Sequence, residues 1–99
     1  HKGVTSIGRY AFLGCVNLKF INLQESSVET IDESAFFRCQ SLKVVKLSPS
    51  LKIINESAFA DCSSIIILDL SACPLLEEIG DDAFHDCTSL IAAYFPKSL

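Results

Sequence analysis

The chain is poor in the residues that several common chemistries need. It has four glycines among 99 residues, too few and too scattered to assemble a G-x-G-x-x-G or Walker loop that cradles phosphate. Its longest apolar run, Leu90 to Phe95, stops at Pro96, far short of the roughly 20 residues a membrane helix needs. Eight Lys and Arg are scattered against twelve Asp and Glu, for a net charge of −4. No basic stripe of the kind that binds nucleic acid results. None of the five cysteines forms a C-x-x-C pair, the tight spacing zinc sites usually show. No cofactor, metal, nucleic-acid or membrane-inserting role is therefore expected.

What the chain does have is repetition. "IGRYAFLGC", "IDESAFFRC", "INESAFADC" and "IGDDAFHDC" start at Ile7, Ile31, Ile54 and Ile79, and their phenylalanines, Phe12, Phe36, Phe59 and Phe84, are 24, 23 and 25 residues apart. Fixed self-similarity at such a period signals a repeat architecture. Three positions after each Cys stands Leu18, Leu42, Ile65 or Leu90. An alternating pair follows: Ile21 and Leu23, Val45 and Leu47, Leu68 and Leu70, Ala93 and Phe95. The blocks 4–23, 28–47, 51–70 and 76–95 each span 19 steps, while the corners between them take five, four and six; a further four-step tail, Phe95 to Leu99, opens another coil. A rigid block joined by an elastic corner is what a solenoid demands, since blocks must stack whereas surface loops tolerate insertion.

The segments "KFINL", "KVVKL", "IILDL" and "AAYF" alternate as strands with one buried face. Successive strands one coil apart make a parallel sheet and a right-handed coil, with the alternating pairs pointing inward. "VETI", "LKII" and "LEEI" extend along the opposite wall. The "SAFFRC" type segments are too short for α-helices and are expected as single helical or 3₁₀ turns. The expected fold is thus an α/β solenoid of about four repeats of 23–25 residues in one domain. The column Gly8, Asp32, Asn55, Gly80 holds residues that tolerate positive φ, and reads as a corner. The acidic residues after it are mildly favourable at the start of a helical turn. With 49% hydrophobic and 20% charged residues, a continuous core is within reach and disorder is not expected.

The pattern Cys39, Leu42, Val45, Leu47, then Pro49, Leu51, Ile54, Ala58, Phe59, Cys62 resembles the BspA-like, or TpLRR-type, leucine-rich repeat over the whole chain from Val4. "LDLSACPLLEEIG", with an extra Cys73 and a displaced Pro74, and "INLQESSVETI", with no proline, depart from it at the corner only. The resemblance implies a leucine-rich-repeat solenoid and a bacterial or protozoan surface protein that adheres to host matrix or to other cells.

Cysteine is the first candidate for chemistry. Cys15, Cys39, Cys62 and Cys87 recur once per coil, so neighbours lie about 4.8 Å apart in a ladder. Parallel side-chain directions there give poor disulfide geometry, and the column reads as small buried thiols. Cys73, in the variable corner, is of the five the thiol expected to be exposed and reactive, with a partly covered Cys as the alternative. His85 occupies a position that the other copies fill with Leu13, Phe37 and Ala60, which is not a catalytic slot, and His1 is terminal. Glu77-Glu78 and Asp81-Asp82 read as a solvated face rather than an acid–base pair. Asn55 heads an N-x-S glycosylation triplet but is already accounted for by the corner column.

The remaining surface is the outward side of the main strands. Alternation sends out one row of Phe20, Val44, Ile67 and Ala92 and a second of Asn22, Lys46, Asp69 and Tyr94. Exposed apolar residues rimmed by polar ones mark interaction sites, although such residues also stabilise cross-strand neighbours. Lys46 and Asp69 are placed to pair across strands. The chain begins and ends mid-repeat without a polar cap, so a piece of a longer array, or end-to-end self-association, is expected. The resemblance, together with this outward face, implies a non-catalytic, adhesin-like protein-binding module of a larger surface or secreted protein. The alternative is a self-assembling scaffold without a dedicated ligand. An unpaired thiol ladder suits a cytoplasmic location equally well.

Overall fold

The computed structural model describes residues 3–96; His1 and the tail that runs to Leu99 lie outside the described residues. Eight short strands alternate between two walls of a coil. On one wall, β1 (Ser6–Ile7), β3 (Thr30–Ile31), β5 (Ile53–Ile54) and β7 (Glu78–Ile79) form one parallel sheet in that order. Its register sets Ile7 on Ile31, Ile31 on Ile54 and Ile54 on Ile79, so each repeat stacks its isoleucine on the next. The other wall carries β2 (Phe20–Asn22), β4 (Val44–Lys46), β6 (Ile67–Asp69) and β8 (Ala92–Tyr94).

The AF-x-x-C segments close the coil on a third wall, and they are not helical. No helix occurs among the described residues, which makes the molecule a parallel β-solenoid of about four turns rather than an α/β one. The hydrogen bonds give the reason. In the first coil Ala11, Leu13 and Cys15 donate N–H to Gly8, Tyr10 and Phe12 within the rung, at 3.1 Å each. The intervening Tyr10, Phe12 and Gly14 donate instead to Glu33, Ala35 and Phe37 of the next rung, at 3.2, 2.7 and 2.8 Å. A helix would direct every N–H back along its own segment; here every second one serves the neighbour.

That alternation needs left-handed backbone at two points per rung. Tyr10, Ser34, Ser57 and Asp82 form one column of positive φ, and Gly14, Arg38, Asp61 and Asp86 the other, all between 54° and 67°. The corner column anticipated for this conformation lies two residues earlier. Gly8, Asp32, Asn55 and Gly80 do follow the last strand residue of their wall, but none has positive φ. Their small size and polarity act differently. Asn55 Nδ2 donates to Asp32 Oδ1 at 3.1 Å, and a Cβ on Gly80 would lie 2.6 Å from the backbone nitrogen of Glu56.

The core fills the space between the walls. Phe36 and Phe59 are essentially fully buried within a ring stack that runs Phe12–Phe36–Phe59–Phe84, with centroids 5.1, 5.0 and 5.4 Å apart and planes within 6°. Ile21, Leu47, Leu68 and Leu70 are buried as their alternation requires, Leu23 and Val45 partly so, whereas Ala93 and Phe95 are exposed. Those two belong to the last described rung, and no further described rung covers them.

Candidate functional site

The outward rows read from the sequence are placed on the strand wall. Phe20 pairs with Val44 and Asn22 with Lys46 across β2 and β4; Ile67 pairs with Ala92 and Asp69 with Tyr94 across β6 and β8. Phe20, Val44, Ile67 and Tyr94 are each about half exposed, between 44% and 54%. Asn22, Lys46 and Asp69 are exposed and Ala92 partly so. The residues just upstream add to this face: Lys19, Lys43, Ile66 and Ile91 are all exposed.

The wall is not one sheet. β2–β4 and β6–β8 are separate parallel pairs, and no hydrogen bond joins β4 to β6. At the first junction Lys43 N–H donates to Lys19 O (3.0 Å) and Leu23 N–H to Lys46 O (2.7 Å). At the third, Ile91 N–H donates to Ile66 O (2.8 Å) and Leu70 N–H to Tyr94 O (2.7 Å). The middle junction has no counterpart: Ile66 N–H does not meet Lys43 O, nor Leu47 N–H the carbonyl of Asp69. A cleft of about 570 Å³ opens there, with Val44, Val45, Leu47, Ile66, Ile67 and Ala72 among its lining residues. Its volume falls within the roughly 300–1,000 Å³ of ordinary ligand sites.

The split coincides with the mismatch in corner length. The corner from Leu47 to Leu51 makes one turn, closed by Leu51 N–H to Ser48 O at 3.1 Å. The corner beside it makes two, Cys73 N–H to Leu70 O at 3.0 Å and Leu76 N–H to Cys73 O at 3.2 Å. The strand ends that these corners anchor are therefore held by spans of different length. The sequence displayed the four-step and six-step corners; what it did not reveal is that the difference would open the adjacent wall rather than bulge outward.

Cys73 corrects a second expectation. It is 1% exposed, not exposed and reactive, because the inner turn of the long corner points it into the core. Burial pushes its thiol pKa up, with Asp69 nearby adding to the shift. The ladder thiols are more than small hydrophobes. Cys39, Cys62 and Cys87 each donate S–H to the carbonyl of the phenylalanine one rung back, Phe12, Phe36 and Phe59, at 3.1–3.2 Å. Burial raises the pKa of all three, Cys62 to about 12. All five cysteines are free.

Charge is segregated. The strand-wall segments 16–24, 40–48, 63–71 and 88–96 carry Lys19, Lys43 and Lys46 against Asp69 alone, whereas the rest of the described chain has three cations and eleven anions. The ion pairs Arg9–Glu33, Arg38–Asp61 and Lys52–Glu29 all lie off the strand wall. The anticipated Lys46–Asp69 pair does not form, because its two strands are on opposite sides of the split. Asp69 instead accepts from the Ser71 side chain and from Ser71 N–H at 3.0 Å, which holds its carboxyl below the usual carboxylate range. Asn22 terminates β2 in the same way, accepting from Gln24 N–H at 3.0 Å.

The other residues singled out in the sequence do not converge. His85 is exposed and 3.4 Å from the neighbouring Asp86. Glu77, Glu78, Asp81 and Asp82 are exposed. Among the described residues no group of His, Cys, Asp and Glu is arranged to hold a metal ion, and no helix is long and apolar enough to cross a membrane.

The comparisons with known proteins agree with this geometry. The T. pallidum leucine-rich repeat protein TpLRR is 25% identical with a TM-score of 0.64; the match covers 91% of this chain and 51% of that one. A leucine-rich repeat protein from Bacteroides ovatus is 28% identical with a TM-score of 0.66, covering 96% of this chain and 30% of that one. The chain thus spans about half, or less, of the proteins it resembles. No curated protein matches it. The family model of the BspA type leucine rich repeat region, in six copies, matches residues 1–99, and the chain belongs to that family.

Proposed function

We propose that the strand wall is a non-catalytic protein-binding face, in an adhesin-like module of a larger surface or secreted protein. The observation that carries this reading is the half-exposed set of Phe20, Val44 and Ile67 in one row and Tyr94 in the next, on a wall that also concentrates lysines with no ion pair among the described residues. Apolar side chains rimmed by charge are what partner-binding surfaces present, and repeat proteins of this kind bind through such extended faces. Membership of the BspA type family supports the surface or secreted context. Free thiols are compatible with that context, since buried thiols with raised pKa values form little thiolate and resist oxidation. Host matrix or cell-surface protein is the partner class that follows.

The test is binding of the chain to immobilised matrix proteins (collagen, laminin and fibronectin), with and without Phe20→Ser and Tyr94→Ser together. Both residues are half exposed, so folding is expected to survive, and circular dichroism checks it. Binding that falls at least about tenfold in the double variant supports the face. Equal binding by both forms overturns this face as the binding surface, and binding by neither favours the scaffold reading.

A further inference from the structure

We infer that the strand wall takes an acidic protein surface, whose carboxylates seat on Lys19, Lys43 and Lys46 around an apolar centre. The inference rests on the reading of the strand wall as a protein-binding face, and names the charge of the partner that this face accepts. Three features converge on this occupant.

The first is which cations are matched. Off the wall, every described lysine and arginine meets a carboxylate: Arg9 meets Glu33 at 3.3 Å, Arg38 meets Asp61 at 3.5 Å and Lys52 meets Glu29 at 3.7 Å. On the wall, Lys19, Lys43 and Lys46 are exposed, and none joins an ion pair among the described residues. The chain has twelve Asp and Glu for eight Lys and Arg, so the wall lysines stand alone by placement and not through a shortage of anions.

The second is their arrangement. Lys43 N–H donates to Lys19 O at 3.0 Å, so the two lysines leave adjacent rungs about one strand spacing, ~4.8 Å, apart. Like charges on neighbouring strands destabilise the sheet that carries them, and a partner's carboxylate set between them removes that cost. Phe20 faces Val44 and Asn22 faces Lys46 in the register of β2 and β4. The lysines therefore stand at both ends of the half-exposed Phe20 and Val44. An apolar centre with a polar rim is the anatomy of a protein–protein contact.

The third is the lack of an internal counter-charge. Asp69 is the one carboxylate in the strand-wall segments, and it is engaged by Ser71. A chain of net charge −4 thus turns a cationic face to its partner, and the surface that complements it is acidic. A sulfated polysaccharide would meet the lysines but leave Phe20, Val44 and Ile67 without apolar cover. Its dense charge would also be repelled by the acidic walls beside the face.

The probe is a fluorescein-labelled twelve-residue peptide that alternates glutamate with tyrosine, titrated against the chain by fluorescence anisotropy. The same peptide with glutamine for glutamate is the first control. Two triple variants of the protein are the others: Lys19→Gln, Lys43→Gln, Lys46→Gln on the wall, and Arg9→Gln, Arg38→Gln, Lys52→Gln off it. Each removes three positive charges, so the two alter net charge equally and differ only in place. All six side chains are exposed, so both variants are expected to remain folded, which circular dichroism checks. The glutamate peptide is expected to bind. The glutamine peptide and the wall variant are each expected to weaken binding at least about tenfold, and the off-wall variant to change it less than about threefold.

Absence of binding at about 1 mM glutamate peptide overturns the inference, as does binding that the wall variant retains. Equal losses in the two triple variants overturn it too, since net charge rather than the wall would then be the cause. Heparin that binds through the three wall lysines where the peptide does not would make the occupant a polysaccharide. A concentration-dependent dimer that the wall variant dissolves would make it a second copy, and either result overturns the inference. The wall variant is also assayed on the immobilised matrix proteins. Matrix binding lost with Phe20→Ser and Tyr94→Ser but unchanged in the wall variant would leave the face standing and sink only the acidic partner.

Discussion

The wall of turns and the wall of long strands are built from the same repeats, yet one is continuous and the other is broken. The wall of turns is tied across every junction by backbone bonds, by the phenylalanine stack and by thiols that donate between rungs. Its spacing from Ile to Cys is the same nine residues in all four copies. The strand wall feeds directly into corners of four, five and six steps, and breaks where the shortest meets the longest. Constant segment length keeps rungs in register, and the variable segment sets where register fails. In this molecule the place of failure is also where apolar side chains, cations and free backbone groups gather.

The largest expected effect comes from breaking the continuous wall at its centre. Phe59 is fully buried between the rings of Phe36 and Phe84, so Phe59→Ala opens a cavity that closely packed rungs cannot collapse. A loss of ~3–5 kcal/mol is expected, read as a lower midpoint in guanidinium unfolding. Phe20→Ala on the strand wall removes a ring that is already 51% exposed and is expected to cost less than about 1 kcal/mol. Similar costs at the two positions would contradict the division of labour between the walls.

Next in size is the approach of two backbones at Gly80. A methyl group there meets the nitrogen of Glu56 at 2.6 Å and the carbonyl carbon of Asn55 at 2.8 Å, both main-chain atoms that can move only by shifting a rung. Gly80→Ala is expected to destabilise by ~1–3 kcal/mol. Gly8, in the same column, has nothing within 4 Å of its hypothetical Cβ and no positive φ. Gly8→Ala is therefore expected to be neutral or to stabilise by up to about 1 kcal/mol through the unfolded chain. Thermal unfolding of the two variants distinguishes them by sign.

The thiols give a pH dependence. Burial raises the pKa of Cys39, Cys62, Cys73 and Cys87 above the ordinary value of 9.0, Cys62 to about 12. Above pH 9 the unfolded chain releases these protons while the folded chain holds them, so the unfolded state gains. Stability is expected to be at its full value below pH 9 as far as these groups are concerned, and to fall progressively as pH rises toward 12. Guanidinium midpoints at pH 8.5 and 10.5 check the sign. Cys62→Ala, which also removes the donor to Phe36 O, is expected to flatten the alkaline decline while lowering stability at neutral pH.

Much of this architecture was legible because repetition tests itself. Four copies of Ile-x-x-x-Ala-Phe-x-x-Cys fix which positions stack, and the alternation around Ile21, Val45 and Leu68 fixes which side of the strand wall faces out. The turns were misread as helical because Ala-Phe flanked by polar residues carries no local mark against a helical turn. The positive φ at Ser34, Arg38, Ser57 and Asp61 is imposed by bonds to the next rung, which exist only in the stack. Cys73 was misread for a related reason: its place in a variable corner suggested the surface, whereas a two-turn corner has an inner residue. The half of the candidate site made by Val44, Lys46, Ile67 and Asp69 followed from alternation. Lys43, Ile66 and Ala72 did not, because the cleft arises from a difference between adjacent corners and not from any residue type.

The smallest expected effect is local and bears on that difference directly. Leu47 N–H and Ile66 N–H occupy the same ladder positions as Leu23, Leu70 and Ile91, whose amides are bonded to the adjacent rung. Neighbouring rungs are otherwise alike, so exchange with solvent deuterium isolates the missing bonds from the surrounding packing. Leu47 and Ile66 are expected to exchange faster than their three counterparts without any change in global stability. Protection of Leu47 and Ile66 equal to that of Leu70 in the free chain would mean that the ladder closes in solution, and the contrast between the two walls would disappear.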